Sequence, residues 1–263
     1  MRAIEALCAL LLATVGTNVP AAAQSRPSVI FLLSDDHAAH AISAYRALLP
    51  YAIDLPATPN LDRLASSGML FRNAFVTNSI CAPSRAAILT GQYGHLNGVM
   101  TNREALHSTA VTFPQVLREA GYETALFGKW HLRTAPTGFE RYEVMEGQGS
   151  YYNPVLLSAT DTTRHTGYTN EILTERALAW LDARRGSQRP FLLMLNFNAP
   201  HRPWEPGPAQ LGLYRDTVIA EPPTFWDDGG GRASPARTQE LTVALDLFDR
   251  DLKLVPPPNL TPG

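Results

Sequence analysis

The chain has 263 residues, which is enough for one sizeable α/β core or two small domains. Hydrophobic residues make up 45% of it and charged residues 17%, a balance typical of an ordered globular protein rather than a disordered one. The formal net charge of −2 lacks the basic excess of a nucleic-acid-binding protein, so we expect no nucleic-acid partner.

The first 23 residues have the three parts of a secretory signal peptide. Arg2 precedes an apolar run over residues 6–15, and residues 21–23 supply small side chains for cleavage after Ala23. The alternative is a buried N-terminal helix. The run is too short to span a bilayer, and no other segment is apolar enough to cross one. We therefore predict a periplasmic or secreted mature protein, residues 24–263, with no membrane span.

Strand and helix patterns alternate along the predicted mature chain. Residues 28–33 form an uninterrupted β-rich run, which predicts a fully buried strand. The helix predicted over residues 168–185 has an apolar side formed by Ile172, Leu173, Ala177, Leu178, Trp180 and Leu181. The other predicted elements are helices over residues 59–68, 84–89 and 113–120, and strands over residues 69–76, 123–127 and 191–196.

This alternation predicts an α/β fold with a largely parallel central sheet flanked by helices. Functional residues of such sheets lie at the carboxyl ends of the strands. Four polar residues fall at such ends, namely Asp35, Asp36, His131 and His201. The proline- and glycine-rich chain beyond residue 202 indicates surface loops rather than a separate domain.

The most informative residue is Cys81, because it is the one cysteine outside the predicted signal peptide. A lone cysteine in an exported protein forms no internal disulfide. On its own it would most often be an inert, buried hydrophobe. Here it opens the run C-A-P-S-R, residues 81–85, followed by A-A-I-L-T-G. Ser84 is the predicted N-cap of a helix whose amide dipole points toward residue 81 and favours an anion there.

Three further motifs carry polar chemistry. The adjacent carboxylates of Asp35 and Asp36 repel unless a cation lies between them, and oxygen ligands suit calcium or magnesium. In G-K-W-H, residues 128–131, Lys129 is a compact cation and His131 is a candidate for proton transfer. His201 ends the run A-P-H. The alternatives are a turn or cap role for the carboxylates, a solvated lysine and structural histidines.

The C-x-P-S-R and G-K-W-H runs resemble the two signatures of type I sulfatases, and the resemblance extends from about Pro27 to the end of the chain. It implies an alkaline-phosphatase-like fold and hydrolysis of sulfate esters. It also implies that a formylglycine-forming enzyme oxidises Cys81 to the aldehyde that becomes the nucleophile. The implied calcium ligands are Asp35, Asp36 and residue 81, and the implied catalytic residues are Cys81, Arg85, Lys129, His131 and His201.

Three stretches, residues 147–154, 199–206 and 221–228, resemble bacterial sulfatases that act on 6-O-sulfated N-acetylglucosamine in glycans. A sulfated sugar is therefore the expected substrate. That branch usually has Lys where Asn198 stands, which we expect to alter substrate contacts. It usually has Asp where Asn170 stands, at an expected helix cap. The later Asp-Asn segment that completes the calcium site in sulfatases has no counterpart here, so we expect a C-terminally truncated protein that is weakly active or inactive alone.

Two other functions fit the same residues. One is hydrolysis of phosphate or phosphonate esters by the same nucleophile, and the other is a non-catalytic, degenerate fragment in which Cys81 remains a thiol. Arg202 and Trp204 are candidates for binding a sugar ring or for packing, and Trp130 is expected to pack. No role is assigned to the remaining histidines, which are His37, His40, His95, His107 and His165.

Overall fold

The computed structural model describes residues 26–50 and 53–257. The predicted signal peptide, residues 1–23, lies outside the described residues. Within the described ranges, no helix has both the length and the apolar character needed to cross a membrane.

A six-stranded sheet forms the centre of the molecule, in the order β1-β6-β2-β3-β4-β5. The first four strands in that order run parallel, and β4 and β5 extend the sheet as antiparallel strands. The predicted largely parallel sheet is therefore confirmed. The strands are β1 Val29–Leu33, β2 Glu123–Lys129, β3 Arg141–Met145, β4 Val155–Leu157, β5 Thr162–Arg164 and β6 Phe191–Asn196.

The helices of the described residues are α1 Pro59–Ser67, α2 Cys81–Thr90, α3 Gly94–Asn97, α4 Phe113–Glu119, α5 Thr169–Ala183, α6 Ser234–Arg237 and α7 Val243–Asp246. Helices α2 and α4 pack on one face of the sheet, and α5 packs on the other. In β6, Leu192 and Met194 belong to the same core cluster as α2, whereas Leu193 and Leu195 pack with α5. Burial on both faces explains why β6 is a continuous apolar run.

The sheet is less covered at β1 than the sequence predicts. Ile30 and Leu32 pair in register with Leu193 and Leu195, so they point toward the face on which α5 packs. They are nevertheless 53% and 56% exposed, because α5 covers β6 and β2 but not β1. Leu178, predicted on the apolar side of α5, is also exposed, so both predictions of burial are wrong.

Two further expectations are wrong. Residues 69–76, predicted as a strand, form no strand, and Phe75 among them is 94% exposed. An apolar run becomes a strand only where a partner takes its backbone hydrogen bonds, and no described strand pairs with this one. Asn170 is not the cap of α5, because Tyr168 is the N-cap and Asn170 lies in the first turn.

Candidate active site

The functional residues predicted from the sequence meet at the carboxyl edge of the parallel strands. Asp35 follows β1, Lys129 ends β2, and His201 follows β6. The neighbouring strands β1, β6 and β2 are parallel, so their carboxyl ends lie side by side. Cys81 reaches the same edge from the first turn of α2.

Helix α2 begins at Cys81, three residues earlier than predicted, with Ile80 as its N-cap. The prediction of Ser84 as the N-cap is wrong, since its amide already donates to the Ile80 carbonyl within the helix, at 3.0 Å. Pro83 is tolerated because the first turn needs no intrahelical donor. The Ala82 amide donates to Asn102 Oδ1 at 2.9 Å. Cys81 therefore lies at the positive end of the helix dipole.

Two cations converge on the buried carboxylate of Asp35. Arg85 Nη2 lies 3.1 Å from Asp35 Oδ1, and the Lys129 ammonium donates to Oδ2. Burial alone would raise the pKa of Asp35, but Lys129 and Arg85 outweigh it and lower that pKa. Arg85 also donates to the Lys129 carbonyl at 2.8 Å, as does Asn196 Nδ2 at 3.2 Å. The lysine is fully buried and held in place at both ends of the residue.

The surroundings of Cys81 favour an anion. Lys129 Nζ lies 3.6 Å from the Cys81 sulfur. Burial raises the pKa of the thiol, but hydrogen bonds with His131 and His201 and the charge of Lys129 bring it down to about 6. With this pKa the thiol is mostly thiolate at neutral pH, and the thiolate is the reactive form of cysteine.

His201 is oriented by its own loop. Its Nδ1 lies 2.6 Å from the Arg202 carbonyl, which only accepts, so Nδ1 carries a proton. Nε2 is left to face the site, 3.6 Å from Asp36 Oδ2. The hydrogen bond with Cys81 raises the pKa of His201. On the other side of the site, His131 has a left-handed backbone with φ of 57°, and its Nδ1 is buried without a hydrogen-bond partner in the described chain.

The donor atoms for a cation at this edge are mixed in kind, and their oxygen atoms are the ones that suit calcium. Ligand atoms of Asp35, Cys81 and His201 lie within 4.8 Å of one another. Asp36 lies beside this group through its contact with His201 and adds a second carboxylate. Carboxylate oxygens are the ligands that calcium prefers, whereas a thiolate and an imidazole are softer. Asn198 Oδ1 is a further buried oxygen with no hydrogen-bond partner within the described residues.

Besides Asn102, the residue of the site that the sequence does not identify is Gln148. Gln148 accepts a hydrogen bond from Lys129 through Oε1, and its Nε2 lies 3.9 Å from the Cys81 sulfur. It follows β3, the strand next to β2 in the sheet. The sequence feature that could have identified Gln148 is its position in a glycine-containing stretch after a strand. The strand order of the folded sheet is needed to place it beside Cys81.

The residues near His201 divide into packing and cavity-lining groups. Arg202 forms an ion pair with Asp251, so its side chain has a structural contact within the protein. Trp204 is 45% exposed and lines a cavity of about 780 Å³ together with His37, Tyr151 and Tyr168. An open cavity with aromatic walls suits the apolar face of a sugar ring. Trp130 is 5% exposed, so it is a packing residue, as predicted.

The parallel sheet and its edge define an α/β domain that holds a free cysteine beside cations suited to an oxyanion. Sequence comparison gives the same class a name. The profile of the sulfatase family matches residues 27–218, and the chain belongs to that family. The expected alkaline-phosphatase-like α/β fold is confirmed.

Two relatives and one solved structure refine the similarity. The chain is 39% identical to an N-acetylglucosamine-6-O-sulfatase of Bacteroides thetaiotaomicron, covering 88% of this chain and 41% of that protein. It is 30% identical to an N-acetylgalactosamine-6-sulfatase of Canis lupus familiaris, covering 80% and 47%. A solved protein in complex with its substrate D-glucosamine-2-N,6-O-disulfate matches with a TM-score of 0.81 and 38% identity, over 88% of this chain and 46% of that one. The chain thus spans less than half the length of these proteins.

Proposed function

We propose that this protein is a sulfuric ester hydrolase that removes sulfate from a sulfated sugar, with 6-O-sulfated glucosamine units of glycans as the substrate. The observation that carries the proposal is the position of Cys81 at the positive end of α2, with the Lys129 ammonium 3.6 Å from its sulfur. The sugar is supported by the relative that acts on N-acetylglucosamine 6-O-sulfate and by the solved neighbour whose substrate carries a 6-O-sulfate.

The nucleophile in this proposal is a formylglycine made from Cys81 by a formylglycine-forming enzyme. The aldehyde adds water to give a gem-diol. One hydroxyl oxygen of the diol forms a bond to sulfur while the bond between sulfur and the sugar oxygen breaks. The second hydroxyl then loses its proton, the carbonyl re-forms, and sulfate leaves with the transferred oxygen.

Side chains of this protein take the remaining roles. Lys129 neutralises charge on the sulfate oxygens, and Arg85 holds Lys129 and Asp35 in place through contacts with both. His201 keeps its Nδ1 proton on the Arg202 carbonyl, and its raised pKa favours a second proton on Nε2, the nitrogen that faces the site and is suited to protonate the departing sugar oxygen. His131 takes the proton of the second hydroxyl. Trp204 and the cavity beside it accept the sugar ring.

The cofactor in this proposal is calcium, held by Asp35, Asp36 and an oxygen of the modified residue 81. When bound, calcium supplies positive charge that favours loss of a proton from the attacking hydroxyl and neutralises sulfate. Three protein ligands fall short of the six to eight oxygens that calcium takes, so water or further ligands complete the site.

The location and domain assignment follow from the sequence. In the proposal, residues 1–23 are removed on export, and the mature protein acts in the periplasm or outside the cell. Residues 24–263 then form the N-terminal part of a sulfatase catalytic domain. The share of the relatives' length that this chain covers supports that reading.

The first test is the state of residue 81. The protein is co-expressed with a formylglycine-forming enzyme, and the tryptic peptide of residues 73–85 is analysed by mass spectrometry. An aldehyde at residue 81 and release of sulfate from glucosamine 6-O-sulfate, with neither in Cys81→Ala, are expected. A thiol that remains alkylatable would instead favour the non-catalytic fragment. Faster release from an aryl phosphate than from an aryl sulfate would favour a phosphoester hydrolase.

A further inference from the structure

We propose that residues 246–253, here called the C-terminal latch, position His201 by clamping the loop that carries it. That loop, residues 198–206, is called the His201 loop. Asp251 and Arg250 are the positioning residues, and they act through Arg202 and Glu205 of the loop. The inference rests on the proposed function, because the step that it serves is proton donation by His201 to the departing oxygen.

The first clamp is the ion pair of Arg202 with Asp251. Arg202 Nε lies 3.3 Å from Asp251 Oδ1, and its Nη2 donates to Oδ2. Nη2 also donates to the Asp246 carbonyl at 2.7 Å, and the guanidinium lies 5.3 Å from the centre of the Phe248 ring. The Asp251 side chain is 4% exposed. The residue directly after His201 is therefore fixed by charge, hydrogen bonds and an aromatic face.

The second clamp lies three residues further along the loop. Arg250 Nε donates to Glu205 Oε1 at 2.7 Å, and the Glu205 side chain is 2% exposed. Lys253 also donates to the Pro203 carbonyl. Each segment thus contributes one acid and one arginine to a pair of reciprocal ion pairs. Reciprocal pairing fixes the register of the latch on the loop, since a shift by one residue would place both charges out of reach.

Tyrosines hold the loop from the side of the sheet. Tyr151 donates to the His201 carbonyl, and Tyr152 and Tyr168 donate to the carbonyls of Pro206 and Glu205 at 2.6 and 3.1 Å. On the His201 loop, these hydroxyls donate to backbone oxygens rather than to side chains. The side chains of Arg202 and Glu205 are held by the latch, so the loop lies between two sets of contacts with different chemistry.

The clamp reaches the imidazole through one peptide group. The Arg202 carbonyl accepts the proton of His201 Nδ1, and this bond directs Nε2 into the site. When the Arg202 side chain is released, its peptide is free to rotate, and the hydrogen bond that orients the ring is lost. The acids of these ion pairs are buried, whereas Arg202 and Arg250 are 32% and 36% exposed. Such pairs add little net stability, so their contribution here is to fix the geometry of the loop.

Hydrogen exchange tests the clamp without any need for activity. The variants are Asp251→Asn, which removes the charge, and Asp251→Glu, which keeps it. Asp227→Asn is the matched control, because Asp227 pairs with Arg232 in the same part of the chain. We expect faster deuterium uptake in peptides covering the His201 loop for Asp251→Asn, partial restoration by Asp251→Glu, and no change in β6 or in the control. Unchanged uptake in Asp251→Asn would overturn the clamp.

Leaving-group dependence tests the positioning of His201. In the formylglycine form, Asp251→Asn should lower kcat on glucosamine 6-O-sulfate about tenfold with little change in KM, because an oriented general acid contributes about 100-fold or more. Nitrophenyl sulfate, whose leaving group needs no proton, should lose much less. Equal losses on both substrates would overturn positioning and leave a structural role. A parent protein that carries the aldehyde and is inactive on both sulfates would refute sulfatase activity of this chain on its own, and the exchange data would still decide the clamp.

Discussion

At the scale of single residues, the thiol of Cys81 gives the most direct readout of the site. In protein lacking residues 1–23 and not modified at Cys81, we expect the rate of alkylation by iodoacetamide to rise with pH around a midpoint of about 6. Below that pH the thiol is protonated and unreactive. His201→Gln should raise the midpoint, because a hydrogen bond that lowers the pKa is lost. His107→Gln, at an exposed histidine, should leave it unchanged, and a midpoint near the ordinary value of about 8.5 would contradict the geometry.

Asp35 is the residue on which the buried charges of the site depend. Asp35→Ala leaves Arg85 and Lys129 buried without their carboxylate, so we expect the free energy of unfolding to fall by about 3–5 kcal/mol in urea denaturation. Asp182→Ala, which removes an exposed ion pair with Arg185, should cost less than about 1 kcal/mol. Similar losses in the two variants would contradict the burial of the Asp35 cluster.

The carboxylate of Asp35 also determines how the stability of the protein should change with pH. The pKa of Asp35 is lowered in the folded protein, so its contribution to stability is present above the ordinary value of 3.8 and is lost as the pH falls below it. The difference in unfolding free energy between the parent protein and Asp35→Ala should therefore shrink in acid. A difference that grows as the pH falls would contradict the lowered pKa.

The site residues that the sequence predicts lie in short contiguous motifs. Cys81, Arg85 and Lys129 lie in short runs, and the structure brings them together with Asp35. Gln148 and Asn102 were missed because their contacts to the site cross 67 and 20 positions of the chain and depend on strand order and loop path. No local pattern encodes such an approach.

At the scale of elements, Gly128 sets how closely β2 approaches β6. Its φ is +107°, and an added Cβ would lie 2.0 Å from the Asn196 carbonyl oxygen. Gly128→Ala should therefore separate the strands, displace Lys129 and lower the unfolding free energy by about 3 kcal/mol or more. Gly186→Ala has a similar left-handed backbone but open space around it, so it should cost only about 1–2 kcal/mol. Equal costs would show that conformation, not the contact with Asn196, is the constraint.

The hydrophobic pattern of the sequence predicts the central strands correctly, but it does not predict which apolar runs stay outside the sheet or where α2 begins. Strands β2 and β6 are buried on both faces, and their apolar runs identify them. The run at residues 69–76 is equally apolar but has no strand beside it, which a one-dimensional pattern does not show. The start of α2 was placed three residues late because Ser84 is a good capping residue, whereas the structure uses Ile80 for the backbone turn and Asn102 for a side-chain acceptor.

At the scale of the whole molecule, the two faces of strand β1 differ in burial. Phe31 packs against the core on one face, whereas the other face is exposed to solvent. The apolar side chains of Ile30 and Leu32 are each more than half exposed, on the face where α5 packs. Apolar side chains that are exposed together on one strand favour contact with further polypeptide. The relatives of this chain are more than twice as long as the segment that it matches. The exposed side chains of β1 and the greater length of the relatives both predict that a longer chain would cover this face of the sheet.

A gene extended to the length of the relatives should yield a protein that binds less of the dye ANS than this chain does, because added chain covers Ile30 and Leu32. It should also release sulfate from glucosamine 6-O-sulfate faster, since further oxygen ligands would complete the calcium site. In this chain, the double variant Ile30→Ser and Leu32→Ser should lower dye binding without lengthening the protein. Equal sulfate release and equal dye binding by the two proteins would show that residues 24–263 are sufficient, and that the exposed face of β1 belongs to the working protein.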